Sequence, residues 1–151
     1  MLNIRYISIS GNTRNFANNL QTYAQQQHSE DAQQPLIDLK EISDLTPEYA
    51  ESTPYFCFVP TYLEGGNGVD NGTQEIMTEA MHEYIEYGDN AKYCLGIVGS
   101  GNKNFNNQYC LTAKQYAADF NVPFLADYEL RGTPSDVKRI YDLLTEYAAN
   151  H

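Results

Sequence analysis

The chain has 151 residues, 20 carboxylates against nine lysines and arginines for a formal charge of −11, three cysteines, and no run near the ~20 apolar residues of a membrane span. That length suits one domain with a sizeable core, the charge argues against nucleic acid and anionic membrane as partners, and the scattered Cys57, Cys94 and Cys110 support neither a disulfide framework nor a zinc or Cys-x-x-Cys redox site. The N-terminus lacks a signal-peptide pattern, so the expectation is a soluble cytoplasmic protein.

Leu2 to Ile9 is rich in β-branched and aromatic residues and reads as the first strand. It runs into Ser8-Ile9-Ser10-Gly11-Asn12-Thr13, whose hydroxyls and backbone N–H groups can converge at the positive end of the next helix, as a phosphate requires. The alternative is that Ser10, Asn12 or Thr13 only caps that helix. Phe16, Leu20, Tyr23 and Ala24 recur at helical spacing and predict a helix over 13–27, followed by a loop over 28–34. A short strand is expected at 35–39, and 40–53 reads as irregular with a turn of helix. Tyr55 to Val59 is continuously apolar and closed by Pro60, the pattern of a central strand buried on both faces.

A loop with four glycines follows from Thr61 to Gly72, too long inside a compact domain to be a mere connection. Ile76, Met77, Ala80, Met81, Tyr84 and Ile85 form the inner stripe of a helix with Glu75, Glu79, Glu83 and Glu86 outside. Tyr93 to Val98 is a second buried strand, and 99–107 a polar, glycine-bearing loop. Cys110, Ala113, Tyr116, Ala117 and Phe120 continue as a helix, 123–130 is the last strand, and Gly132-Thr133-Pro134-Ser135-Asp136 opens the last helix.

Strand and helix thus alternate five times, the pattern of an α/β, doubly wound five-stranded parallel sheet with helices on both faces. In such a sheet ligands bind beyond the carboxyl ends of the strands. The loops at 8–15, 60–72 and 99–107 all follow strands and so share that edge, a convergence that helix capping leaves unexplained. Hydroxyls and amides in the first loop, with Tyr62 and Phe105 in the others, suit a phosphate joined to a flat heteroaromatic ring, a mononucleotide.

Competing motifs are absent or incomplete. No Gly-x-x-x-x-Gly-Lys-Ser/Thr occurs, and position 104 is Asn where the dinucleotide fingerprint begun by Gly99-x-Gly101 needs Gly. His28, His82 and His151 show no ligand spacing and read as solvated; no carboxylate pair or nucleophile elbow stands out. Between Glu41 and Ala91 lie eleven carboxylates and no Lys or Arg, while the remainder balances nine against nine. Singly these read as a solvated face. Together they form a field that can steer a basic protein partner.

Ser8-Ile9-Ser10-Gly11-Asn12-Thr13 resembles the flavodoxin phosphate loop. Ser100-Gly101-Asn102-Lys103-Asn104-Phe105 with Tyr109, and Glu129 to Val137, resemble the two signatures of the NrdI family, flavodoxin-like accessory proteins of class Ib ribonucleotide reductase. The resemblance implies one flavodoxin-like domain over 1–151 that binds FMN. Its phosphate would lie on Ser8, Ile9, Ser10, Gly11, Asn12 and Thr13. The isoalloxazine would lie between Pro60, Thr61, Tyr62, Glu64, Gly65, Gly66 and Asn67 on one side and Ser100, Gly101, Asn102, Phe105 and Tyr109 on the other.

The resemblance also implies a redox accessory role rather than a stand-alone enzyme, with no catalytic side chain and no resident metal. Reduced FMN and oxygen would give superoxide, which passes to the dimanganese site of the reductase's small subunit, and a flavin or thiol-linked reductase would donate electrons. A general flavodoxin electron carrier and a flavin-free phosphate-binding signalling module remain as alternatives. Two expectations attach to the glycine loop: Glu64 near the flavin would make the reduced flavin more reducing, and the peptide at Gly65-Gly66 would flip between redox states.

Overall fold

The computed structural model describes residues 1–61, 79–103 and 109–151. Within them the elements are β1 (Leu2–Tyr6), α1 (Asn12–Glu30), β2 (Ile37–Glu41), β3 (Tyr55–Pro60), α2 (Glu79–Glu86), α3 (Asn90–Tyr93), β4 (Cys94–Gly101), α4 (Leu111–Phe120), β5 (Phe124–Glu129) and α5 (Pro134–Ala149). The five strands form one all-parallel sheet in the order β2-β1-β3-β4-β5. This is the strand order of flavodoxin itself, with the winding direction reversing between β1 and β3. Among the described residues no helix is long and apolar enough to cross a membrane.

Alternation along β3 builds both cores. Phe56 and Phe58 point to one face, where they meet Phe16, Ala17 and Leu20 of α1 and Val137, Ile140 and Leu144 of α5. Tyr55, Cys57 and Val59 point to the other, against Met81, Tyr84 and Ile85 of α2 and Ala113 and Tyr116 of α4. All six β3 residues are buried, as the unbroken apolar run requires of a mid-sheet strand.

Several boundaries differ from the sequence reading, each for a local reason. β1 ends at Tyr6 rather than Ile9, although Ile7 still donates to the Phe58 carbonyl at 3.2 Å. α1 continues three residues beyond 27, since nothing in His28-Ser29-Glu30 breaks a helix; Asp31 then turns the chain by accepting from the Gln33 amide. β2 sits two residues later than expected because its register is set by β1, with Leu2 opposite Ile37 and Tyr6 opposite Glu41. Gly99, Ser100 and Gly101 belong to β4 and not to a loop. These glycines serve packing: a Cβ on Gly99 would stand 2.5 Å from the Ala113 Cβ, and one on Gly101 3.1 Å from the Cys110 amide nitrogen. The glycine loop after Thr61, the start of the next helix with Ile76 and Met77, and Phe105 lie outside the described residues.

The 42–54 connection is pinned by a buried ion pair that sequence patterning did not reveal. Arg5 and Glu51 are both buried, with Nε donating to Oε2 at 2.8 Å and the terminal nitrogen to Oε1 at 3.2 Å. The Tyr84 hydroxyl also donates to Glu51, and Asn90 ties the Glu51 amide to the carbonyls of Tyr49 and Tyr84. Burial pushes the Glu51 carboxyl up, but the hydrogen bonds from Arg5 and Tyr84 outweigh it and hold the group below its ordinary range.

Candidate functional site

The sheet topology brings the ends of β1, β3 and β4 side by side at the carboxyl edge, where β1 pairs with β3 and Pro60 lies opposite Ser100. Residues 8–13, 60–61 and 100–102 therefore share one edge. Tyr62, Glu64, Gly65, Gly66, Asn67 and Phe105 lie outside the described residues.

At the first loop Gly11 occupies the N-cap of α1 with φ +93°, a conformation that disfavours any other residue, and the N-cap residue itself offers no side chain to the helix. Ser10, Asn12 and Thr13 are thus not the N-cap of this helix, contrary to the capping alternative. Ser8 does part of that work, its Oγ accepting from the Arg14 amide at 3.2 Å. The Thr13 hydroxyl is buried and has no hydrogen-bond partner among the described residues. A buried hydroxyl without a partner costs about 1–3 kcal/mol. A hydroxyl so placed can donate to an acceptor, at the end of a helix that favours negative charge.

Arg14, the cation nearest this loop in sequence, is held away from it. Its guanidinium forms a two-pronged pair with Glu41 at 2.8 and 2.7 Å, and the Tyr6 hydroxyl donates to the same carboxylate at 3.1 Å. The Arg14 hydrogen bond, opposed by burial, holds the Glu41 carboxyl low, and burial beside Glu41 pushes the Tyr6 phenol up to about 12. An anion here is therefore met by amides and hydroxyls with no bare charge. The brace was not read from the sequence, since Arg14 on α1 and Glu41 on β2 are brought together only by tertiary packing.

Thr61 and Ser100 are buried, and the Thr61 amide donates to the Ser100 carbonyl at 2.9 Å. The Thr61 hydroxyl accepts from the Thr112 amide at 3.0 Å, so it also caps the first turn of α4. Tyr109 is half-buried and donates to Asp127 on β5 at 3.1 Å; burial first, then the neighbouring Cys110 and Asp127, raises its pKa. Cys110 stands at φ +57° before α4, and burial pushes its thiol up to about 12. The three cysteines are buried and free.

Two expectations made for the surface change. His82 is not simply solvated: its ring packs against Tyr116 and Phe120, and its nitrogens lie 3.0 Å from Glu86 and 3.3 Å from Asp119. Three carboxylates of the acidic segment, Glu41, Glu51 and Asp89, are among the described residues in ion pairs with cations from outside it, Arg14, Arg5 and Lys92. Among the described residues no group of three His, Cys, Asp or Glu side chains is placed to hold a metal ion.

Comparison with known proteins agrees with this geometry. A family model described as NrdI flavodoxin-like matches residues 4–142. A protein described as NrdI-like from Streptococcus pneumoniae R6 is 48% identical over 149 residues, 96% of this chain and 93% of its own. Protein NrdI of Mycoplasma genitalium is 30% identical over 107 residues, 71% of this chain and 67% of its own. Among solved structures, a short-chain flavodoxin associated with a non-canonical PDU bacterial microcompartment superposes with a TM-score of 0.67 at 15% identity, covering 99% of each chain. Oxidised flavodoxin 2 from Bacillus cereus gives 0.64 at 19% identity, again over 99% of each chain.

Proposed function

The chain belongs to the NrdI flavodoxin-like family, and from that premise we propose that it is an FMN-binding redox protein. Its task in this reading is to supply the oxidant that assembles the dimanganese-tyrosyl radical cofactor of a class Ib ribonucleotide reductase small subunit. The observation that carries the flavin part is the buried Thr13 hydroxyl, without a partner among the described residues, in the first turn of α1 beside its glycine N-cap. These residues fit a phosphate ester better than a ligand without one.

Ser8, Ile9, Ser10, Gly11, Asn12 and Thr13 would hold the phosphate, with Arg14 kept on Glu41 so that the loop stays open. The segments 60–67 and 100–109 would hold the ring. Bound FMN supplies one-electron chemistry and, when reduced, superoxide from oxygen. The protein's own groups position and exclude water; none acts as acid or base. Burial pushes the Cys94 thiol up to about 12 and the Cys57 thiol well above its ordinary value, so both stay protonated and out of the redox step. A single domain would carry this role in the cytoplasm, drawing electrons from a flavin or thiol-linked reductase.

The test is to mix reduced protein, oxygen and manganese-loaded small subunit and look for a tyrosyl radical by electron paramagnetic resonance. The radical is expected. Bound FMN without a radical would leave a general flavodoxin electron carrier. Purified protein that takes up no flavin would contradict both and leave a phosphate-binding module.

A further inference from the structure

The connection from β5 to α5 contains one residue that the fold does not use. The Glu129 carboxylate accepts from the Lys103 amide at 2.9 Å, and the Leu130 amide donates to the Gly101 carbonyl at 2.9 Å. Gly132, at φ +73°, lies where a Cβ would stand 2.5 Å from the Phe16 ring. Thr133 and Asp136 form a reciprocal capping box, and Pro134 fills the first turn of α5. Arg131 has no such task. Its predecessor Leu130 is held at φ +54°, a conformation costly for leucine, so the backbone is strained where it presents Arg131.

Arg131 is also exceptional in charge. The other eight lysines and arginines each meet a carboxylate or an aromatic ring. Arg131 meets none among the described residues, in a chain with 20 carboxylates. It lines a cavity of about 380 Å³ between α1 and the start of α5, within the size range of small-molecule sites. Asn19, Tyr23 and Gln26 form the α1 wall; Pro134 and Val137 form the α5 wall, and no residue lining the cavity is acidic. On a protein of charge −11 that leaves a largely apolar recess whose one charged lining residue among those described is a cation.

We propose that this cavity binds a small organic anion, its carboxylate or phosphate on Arg131 and its apolar body against Tyr23, Pro134 and Val137. The guanidinium offers a fork of donors matched to either headgroup, and the amides of Asn19 and Gln26 supply further donors. The site lies on the α1–α5 side of the sheet and does not depend on the flavin reading.

The full-length protein, saturated with FMN if it binds and as isolated otherwise, is titrated with benzoate, phenyl phosphate and the neutral benzyl alcohol while backbone amide NMR shifts are followed. Saturable shifts confined to residues 19–26 and 131–137 are expected with at least one anion, and the stronger one identifies the headgroup. Arg131→Gln, an exposed change that leaves the fold intact, should weaken that binding at least tenfold. No saturation with either anion, equal response to benzyl alcohol, or unchanged affinity in R131Q would each overturn the proposal.

Discussion

Thr13 illustrates how one side chain can be a cost to the fold and an asset to a ligand. Its hydroxyl is buried without a partner among the described residues, so Thr13→Val, which keeps the shape and removes that group, should leave the flavin-free protein as stable as before or slightly more so. If the hydroxyl donates to a phosphate, the same change should weaken FMN binding about tenfold, the worth of one hydrogen bond to a charged group. Chemical denaturation of the flavin-free protein and a fluorescence titration with FMN separate the two effects. Glu51 behaves oppositely. Replacing it with Gln leaves the buried Arg5 with the half-exposed Asp38, 3.1 Å away, as its remaining carboxylate among the described residues, which should still cost about 3 kcal/mol in urea unfolding, the low end for breaking a buried pair.

Glu51 also has a pH signature. Its carboxyl is held below the ordinary value of 4.5 in the folded state, so its contribution is fully present above that value and is lost as pH falls through the folded pKa. Melting temperature should therefore drop steeply below about pH 4.5 in the parent and less steeply in E51Q.

At the scale of elements, what the sequence made legible were features carried by periodicity. The continuous run of β3, the stripes of α1 and α5, and the Thr-Pro start of the last helix are local patterns, and the five-stranded parallel sheet followed from their alternation, though the strand order did not. Pairings between distant segments were not legible. Arg5 of β1 meets Glu51 of the connection before β3, and Arg14 of α1 meets Glu41 of β2, only through tertiary packing. Gly99 and Gly101 misled because glycine marks close packing as readily as a turn; α4 presses on β4 just there. Gly99→Ala should accordingly cost about 1–3 kcal/mol by overpacking against Ala113, measurable as a lowered denaturant midpoint with unchanged slope. Of the candidate site, the string of hydroxyls and glycine proposed to seat a phosphate stood out in the sequence, whereas the glycine N-cap and the pairing of Arg14 with Glu41 did not. The first depends on backbone conformation and the second on tertiary packing.

For the molecule as a whole, charge is distributed to a purpose that the fold only partly absorbs. Among the described residues three carboxylates of the segment 41–91 are paired with lysine or arginine, while Asp44, Glu48, Glu79 and Glu83 stand exposed on one stretch of chain without lysine or arginine. If the protein acts on a partner subunit with a complementary basic face, association should be steered and salt-sensitive. Its on-rate in stopped-flow mixing should fall about tenfold or more between low and ~0.5 M ionic strength, with the dissociation rate nearly constant. A salt-independent on-rate would remove the acidic field from the account.

The central claim is that the end of β1 seats the phosphate of a flavin mononucleotide. The most direct measurement is a fluorescence titration of the flavin-free protein with FMN and with riboflavin, which share the ring and differ in the phosphate. FMN should bind about a hundredfold more tightly, since the phosphate gains several charge-assisted hydrogen bonds that riboflavin cannot make. Equal affinity for the two, or no binding of either, would contradict it.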